Sequence, residues 1–294
     1  MRAVLSYLLV VCPLILACLC GGVSAQQTTV FYTPAKEKNE DGRRTYAHNL
    51  LKMALDKTVA EYGPYQLIEI PNLSIKRMHL IANSDEYKNF IVKFTYSDSY
   101  QENLIYAPYP AEFGGMGYRV CFVAPEFLQE SNKVTTLAEL QKYTIGQGIN
   151  WPDTKIIRAN NINVSEVQYS KSLFSMTDKG RFDFFCRGIT EPGWEMKKFG
   201  RDFPLVLNTS FVLRYNLPRF FYTNKNNKAA IKRIALGLKR ALEDRSAHAY
   251  YQSLYKDYID YVQLEKRTII DLDNPDLRFI DNTYQNYIIP INKI

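Results

Sequence analysis

The chain of 294 residues is 46% hydrophobic, 14% aromatic and 23% charged, which is enough apolar material for one large core or two lobes. Lys and Arg number 37 against 30 Asp and Glu, but apart from Lys197-Lys198 and the run Lys225 to Arg240 the bases are scattered, which excludes the concentrated stripe of a nucleic-acid-binding surface. His48, His79 and His248 stand far apart with no Cys, His, Asp or Glu at ligand-like spacing, so no metal site is implied; neither a phosphate loop ending in Gly-Lys-Ser/Thr nor a Gly-x-Ser-x-Gly nucleophile turn occurs, and nothing calls for a cofactor.

Residues 1–25 place Arg2 ahead of an apolar run from Val4 to Leu19 and close on Val23-Ser-Ala25, the pattern of an export signal removed before Gln26. A competing reading makes Cys18, after Ile15-Leu-Ala17, a lipid-attachment site, but the Val23-Ser-Ala25 ending fits simple export better. No later apolar stretch reaches the roughly 20 residues needed to cross a bilayer, so the expected product is an exported, non-spanning, monomeric protein of the periplasm. Cys12, Cys18 and Cys20 fall in the leader, leaving Cys121 and Cys186. In an oxidising compartment these two either pair or stand as buried thiols on neighbouring strands.

Thr28 to Thr33 alternates as a first strand, and Pro34 to Arg44 is a polar loop. Ala47, Leu51, Ala54, Leu55 and Val59 recur at helical spacing until Gly63-Pro64, and Tyr65 to Ile70 reads as a second strand. That order opens a parallel sheet. Ser84 to Tyr87 resembles a helix end feeding a strand near Phe90 to Phe94. The glycine-rich Phe113-Gly-Gly-Met-Gly117 then marks a crossing into a strand over Tyr118 to Ala124. Thr136-Leu-Ala-Glu139 fits a capping box, and Tyr143 to Gly146 is the next strand. A helix is expected over Asp153 to Ala159, another over Val167 to Thr177, and a strand over Phe182 to Cys186. Pro204 to Asn208 and Phe211 to Tyr215 form one long strand or a pair. Ile231, Ile234, Ala235, Leu238 and Leu242 make one apolar stripe. The predicted class is α/β with a discontinuous first lobe, 26–116 and 213–294, an inserted second lobe, 117–212, and a hinge of two crossing segments.

Ile145-Gly-Gln-Gly-Ile-Asn-Trp-Pro-Asp-Thr154, Tyr169-Ser-Lys-Ser-Leu-Phe-Ser-Met176, Gly180-Arg-Phe-Asp183, Arg187-Gly188 and Glu195 resemble bacterial periplasmic solute-binding proteins of the amino-acid-receptor type, in a poorly characterised branch. Leu236 to Ala241, Arg267 and Asn274-Pro275 extend the likeness over most of the mature chain. The resemblance implies a two-lobed, type 2 periplasmic-binding fold that closes on a solute without catalysis and hands it to a membrane permease or signals to a sensor partner. The family clamps a ligand carboxylate with an arginine of the second lobe and holds the amine with a late aspartate of that lobe; neither role maps onto a particular residue here.

Candidate ligand residues follow from position. Arg187 should emerge at a strand tip, where its planar fork can hold a carboxylate or phosphate, the alternative being an ion pair with Glu191 or Glu195. Arg119 lies just past the glycine-rich crossing. Gln147 and Asn150 flank a turn whose amides could face an anion, and Trp151 offers an aromatic wall. Tyr32, Tyr96, Tyr106 and Tyr118 are further wall candidates. Asp183 is expected to bond backbone amides. Glu191 and Glu195 are separated by Pro192 and Gly193, which break a helix joining them, so a glycosidase-like carboxylate pair is not expected. The expected ligand is a small polar solute, anionic or zwitterionic.

Overall fold

Residues 27–36 and 42–290 are described by a computed structural model; the expected leader lies outside them. In chain order the first part comprises β1 (Thr29–Pro34), α1 (Arg43–Asp56), α2 (Val59–Tyr62), β2 (Tyr65–Ile70), α3 (Ile75–Ser84), β3 (Val92–Thr95) and β4 (Leu104–Tyr106). The chain then builds β5 (Tyr118–Val123), α4 (Leu128–Ser131), α5 (Leu137–Leu140), β6 (Thr144–Gly148), α6 (Pro152–Ala159), β7 (Asn163–Val167), α7 (Ser170–Asp178), β8 (Phe184–Gly188), α8 (Pro192–Phe199), β9 (Val206–Leu207) and β10 (Phe211–Arg214). It ends with β11 (Arg219–Asn224), α9 (Lys228–Glu243), α10 (Ser246–Tyr261) and β12 (Thr268–Asp271).

The strands sort into two lobes. In the first, β2 pairs in parallel with β1, Tyr32 of β1 bridges Phe90, and the sheet continues as β3-β11-β4 with β11 antiparallel to both neighbours. Side chains alternate across a strand, so β11 serves two cores. Phe221 joins the core with α1, α9 and α10, whereas Phe220 and Tyr222 join one with α3 and the C-terminal segment. Close packing of α1 on α9 depends on Gly237, where an added Cβ would lie 1.9 Å from the Ala54 carbonyl oxygen.

The second lobe is built on the order β12-β10-β5-β8-β6-β7, with β9 beside β5. β6 runs parallel to both β7 and β8, while β5 is antiparallel to β8. Cys121 and Cys186 are register partners on β5 and β8, and their sulfurs form a disulfide at 2.00 Å. The capping box at α5 is complete, with Thr136 accepting from the Glu139 N–H and Glu139 accepting from the Thr136 N–H.

Several local expectations shift. Asn163 to Val167 is strand β7, not the run-in to a helix, and α7 begins at Ser170, because the exposed edge strand carries polar alternation too weak to register as a strand by itself. Leu213 and Arg214 pair with Arg119 and Tyr118, so β10 stays with the second sheet across the expected boundary at 213. β12, inside the stretch assigned to the first lobe, pairs in parallel with β10. From β12 the chain returns: Asp273 exchanges hydrogen bonds with Asn160 at the end of α6, Asp276 takes Lys155 of the second lobe and Ser97 of the first, and Ile280 and Tyr284 enter the first lobe's core. The C-terminal segment is therefore a strap across both lobes. Among the described residues no helix is long and apolar enough to cross a membrane.

Candidate functional site

The tips of β6 and β8 lie side by side, each leading into a helix that starts with proline at its first position. Pro152 opens α6 and Pro192 opens α8, where the missing N–H costs no helical hydrogen bond. Each helix carries an acid in its first turn, Asp153 and Glu195, the end where a negative charge is favoured. Opposite these acids the strands present arginines. Arg187 lies on β8 and Arg119 on β5, and Arg119 is in register with Gly188.

Both arginines are held. Arg187 Nε donates to the two oxygens of Glu195 at 2.8 and 3.1 Å, and Nη2 donates to Glu191 Oε1 at 2.7 Å. The second Glu191 oxygen accepts from the Gly188 N–H at 2.7 Å. Arg119 Nε donates to Asp153 at 2.7 Å and to the Tyr215 hydroxyl at 2.9 Å, while that hydroxyl donates to Asp153 at 2.5 Å. Pro192 and Gly193 thus do not keep Glu191 and Glu195 apart: as the first residues of α8 they start a helix that brings both carboxylates onto Arg187.

Across the lobes, Arg43 of α1 donates from Nη1 to Glu191 at 2.7 Å. Behind it, Lys93 of β3 pairs with buried Glu112, and Arg219 of β11 stands 3.5 Å from the same carboxylate. Cations and carboxylates from both lobes therefore meet in one protected cluster. Burial is the strongest influence on Glu191 and would raise its carboxyl, but Arg187, Arg43, Arg119 and Arg219 together hold it at about 2. Glu195 goes the other way: burial lifts it, and the neighbouring Glu191 charge adds to the rise against the pull of Arg187. For Asp153, burial is outweighed by Arg119 and by the hydrogen bonds from Tyr215 and Arg119, and the carboxyl is lowered.

Trp151 roofs this cluster. A Cβ at Gly148 would sit 2.3 Å from its indole, so the ring can lie on the strand tip only because residue 148 is glycine. The Arg187 guanidinium lies 4.9 Å from the same ring, within reach of a cation–π attraction. Gln147 is 1% exposed with its carbonyl oxygen lacking a protein partner, as do Arg119 Nη1 and the Thr154 hydroxyl. Asn150 takes a left-handed backbone, φ 63°, and is exposed at the turn. The sequence-picked residues Arg187, Arg119, Gln147 and Trp151 are thus gathered near the paired strand tips, with Asn150 at their rim.

The tyrosines divide. Tyr118 begins β5 and is buried in the core shared with α1 and α10. Tyr32 packs its ring on Tyr87 at 5.1 Å, near the tip of β1. Tyr96 and Tyr106 belong to the other face of the first lobe's sheet, where Tyr96 bonds Asp98 and Gln101. Asp183 accepts from the Thr144 N–H at 2.8 Å. Sequence reasoning missed Arg43, Lys93, Glu112, Asp153, Tyr215 and Arg219. The proline-then-acid pattern at both helix starts was a usable signal for Asp153 and Glu195; the others join the cluster only through lobe packing.

No family model matches the chain, and no curated protein matches it in sequence. Solved structures do share its fold. YckB of Bacillus subtilis aligns over 83% of this chain and 96% of its own at 14% identity and a TM-score of 0.54. An ancestral arginine-binding protein bound to arginine aligns over 80% and 99% at 13% identity and 0.53. The VFT2 domain of BvgS from Bordetella pertussis aligns over 79% and 92% at 10% identity and 0.55. The architecture is accordingly the two-lobed α/β fold that these structures share.

Proposed function

We propose that this chain is a non-catalytic extracytoplasmic receptor that closes its lobes over a small polar solute of anionic or zwitterionic character. The observation that carries the reading is the cluster itself: Arg43 of one lobe meets Glu191 of the other at 2.7 Å, and beside them Arg119 Nη1 and Gln147 Oε1 are buried without protein partners. Each such group carries a penalty of roughly 1–3 kcal/mol that a correctly placed solute atom would remove. Arg119 Nη1 is a donor suited to a carboxylate, Gln147 Oε1 an acceptor suited to an amine, and the Trp151 ring an apolar wall. A micromolar site needs only about 8 kcal/mol net. Structures of related fold that hold arginine support solute recognition in such a fold.

The test is a thermal-shift and calorimetric screen of the mature protein against amino acids and small organic acids, repeated on Trp151→Ala and Gln147→Ala. The expected result is at least one compound bound in the micromolar range and weakened about tenfold by either variant, the equivalent of roughly 1.4 kcal/mol. A ligand that both variants bind as tightly as the unaltered protein does would remove the site assignment. The BvgS likeness favours one second reading, a periplasmic sensor or interaction module in which the same closure is presented to a membrane partner instead of feeding a permease. Co-purification with a permease or with a sensor protein separates the two.

A further inference from the structure

The first lobe holds a cavity of about 320 Å³ on the face of its sheet that carries Tyr222 rather than Phe221. Its walls include Tyr96, Tyr100, Tyr106 and Tyr222, with Phe279 and Asp281 contributed by the C-terminal strap. The rings are braced against one another. Tyr100 meets Tyr222 edge-on at 5.6 Å, Tyr106 meets Tyr222 at 5.4 Å, and Tyr96 meets Tyr106 edge-on at 5.6 Å.

Three features bear on what would fit. Tyr222, one of the lining residues, is 1% exposed, and its hydroxyl, itself buried, has no hydrogen-bond partner. Phe279 is 70% exposed, a large aromatic ring left in solvent among the lining residues. Asp281, whose Oδ1 accepts from the Thr283 N–H at 2.9 Å, is the one acidic or basic residue among those lining it. Lys155 is engaged by Asp276, and His79, stacked on Phe94 at 4.0 Å and touching Tyr100, is held toward its neutral form by burial. Asp98 is occupied by the Tyr96 hydroxyl and by the Arg278 and Phe279 amides.

Electron-rich ring faces attract a cation, and the attraction grows when water is excluded. A carboxylate beside them adds a counter-charge, and an unused phenol can bond a hydroxyl or N–H. We propose that this cavity is a binding site for a small organic cation, an alkylammonium carrying a hydroxyl or N–H, held by the tyrosine rings, by Asp281 and by the Tyr222 hydroxyl. The site is separate from the strand-tip cluster and does not rest on the receptor reading.

Choline and 3,3-dimethylbutan-1-ol make the test, because they share shape and hydroxyl and differ in charge. Each is titrated into the full mature protein, followed by backbone amide chemical shifts. The expected result is saturable binding of choline with shifts centred on residues 96–106, 222 and 279–281, and an affinity for the neutral alcohol about tenfold lower, the equivalent of roughly 1.4 kcal/mol. Asp281→Asn should weaken choline several-fold, and Tyr222→Phe should weaken choline while leaving tetramethylammonium, which has no hydroxyl, unchanged. Equal binding of the two isosteres, shifts that map to Trp151 and Arg187 instead, or no saturation by choline would each overturn the proposal. Tyr222→Phe keeps the ring, so loss of fold does not confuse the outcome.

Discussion

Replacing Arg187 by Met should unfold the second lobe's tip before it tells anything about a ligand. Read as a clamp emerging from a strand end, Arg187 is a residue whose loss spares the fold; the structure reverses that expectation. The guanidinium is the shared partner of Glu191 and Glu195, and both carboxylates are about 95% or more removed from solvent. Removing one member of a buried ion pair leaves an uncompensated charge, at about 3–5 kcal/mol. The stacking on Trp151 adds about 1 kcal/mol at a partly buried ring. A loss on the order of 4 kcal/mol corresponds to a fall in Tm on the order of 10 °C for a chain of this size. The deficit should depend on pH with a definite sign. Without Arg187, Glu195 loses the cation that opposes its burial while Glu191 keeps Arg43, so the charging of Glu195 opposes folding at neutral pH and the penalty shrinks as pH falls and that carboxyl takes up a proton. Urea unfolding followed by far-ultraviolet circular dichroism at pH 7.5 and pH 5 measures both quantities. Adding Glu195→Gln to the variant should recover part of the loss at pH 7.5. A deficit under about 1 kcal/mol, or one equal at the two pH values, would refute the reasoning.

Three further outcomes are expected. Glu191 is held at about 2 against an ordinary value near 4.5, so its contribution is complete above pH 4.5 and is lost as pH falls toward 2; Glu191→Gln should flatten that acid limb by on the order of 3 kcal/mol, and an unchanged acid-unfolding slope would contradict it. Gly237→Ala pushes a methyl group against the backbone of Ala54 and should cost about 3 kcal/mol by forcing α1 and α9 apart, although alanine is the better helix former; a neutral or stabilising effect in thermal unfolding would show that the helices can yield. Asn160→Ala removes both hydrogen bonds to Asp273 and should speed amide exchange across Thr268 to Ile280 well above that of α9, whereas unchanged protection would mean the strap is held from elsewhere.

Much of the local structure was legible in the sequence because local chemistry specifies it. The apolar stripe of α9, the capping box at Thr136 and Glu139, and the alternating strands β1 and β2 are each satisfied within a few residues, so periodicity and cap chemistry suffice. The convergence of Gln147, Trp151 and Arg187 was also readable, since neighbouring strand tips in a sheet of parallel β6 and β8 must lie together. What the arginines touch was not. Arg187 finds Glu191 and Glu195 because Pro192 starts a helix there instead of ending one, and Arg119 finds Asp153 and Tyr215 from positions 34 and 96 residues away. Tyr96, just past the end of β3, instead packs in the first lobe's core with Phe220 and Tyr222.

Sequence alone thus specified the elements whose pattern is local, β1, α1, β2 and α9 among them, while the likeness to periplasmic-binding proteins implied the two-lobed plan. Tertiary structure alone decided that β12 returns to the second sheet, that Arg43 reaches Glu191 across the lobes, and that the cluster's charges partner one another. Those contacts join segments far apart in the chain, and the burial and charge balance that fix them exist only once both lobes have packed.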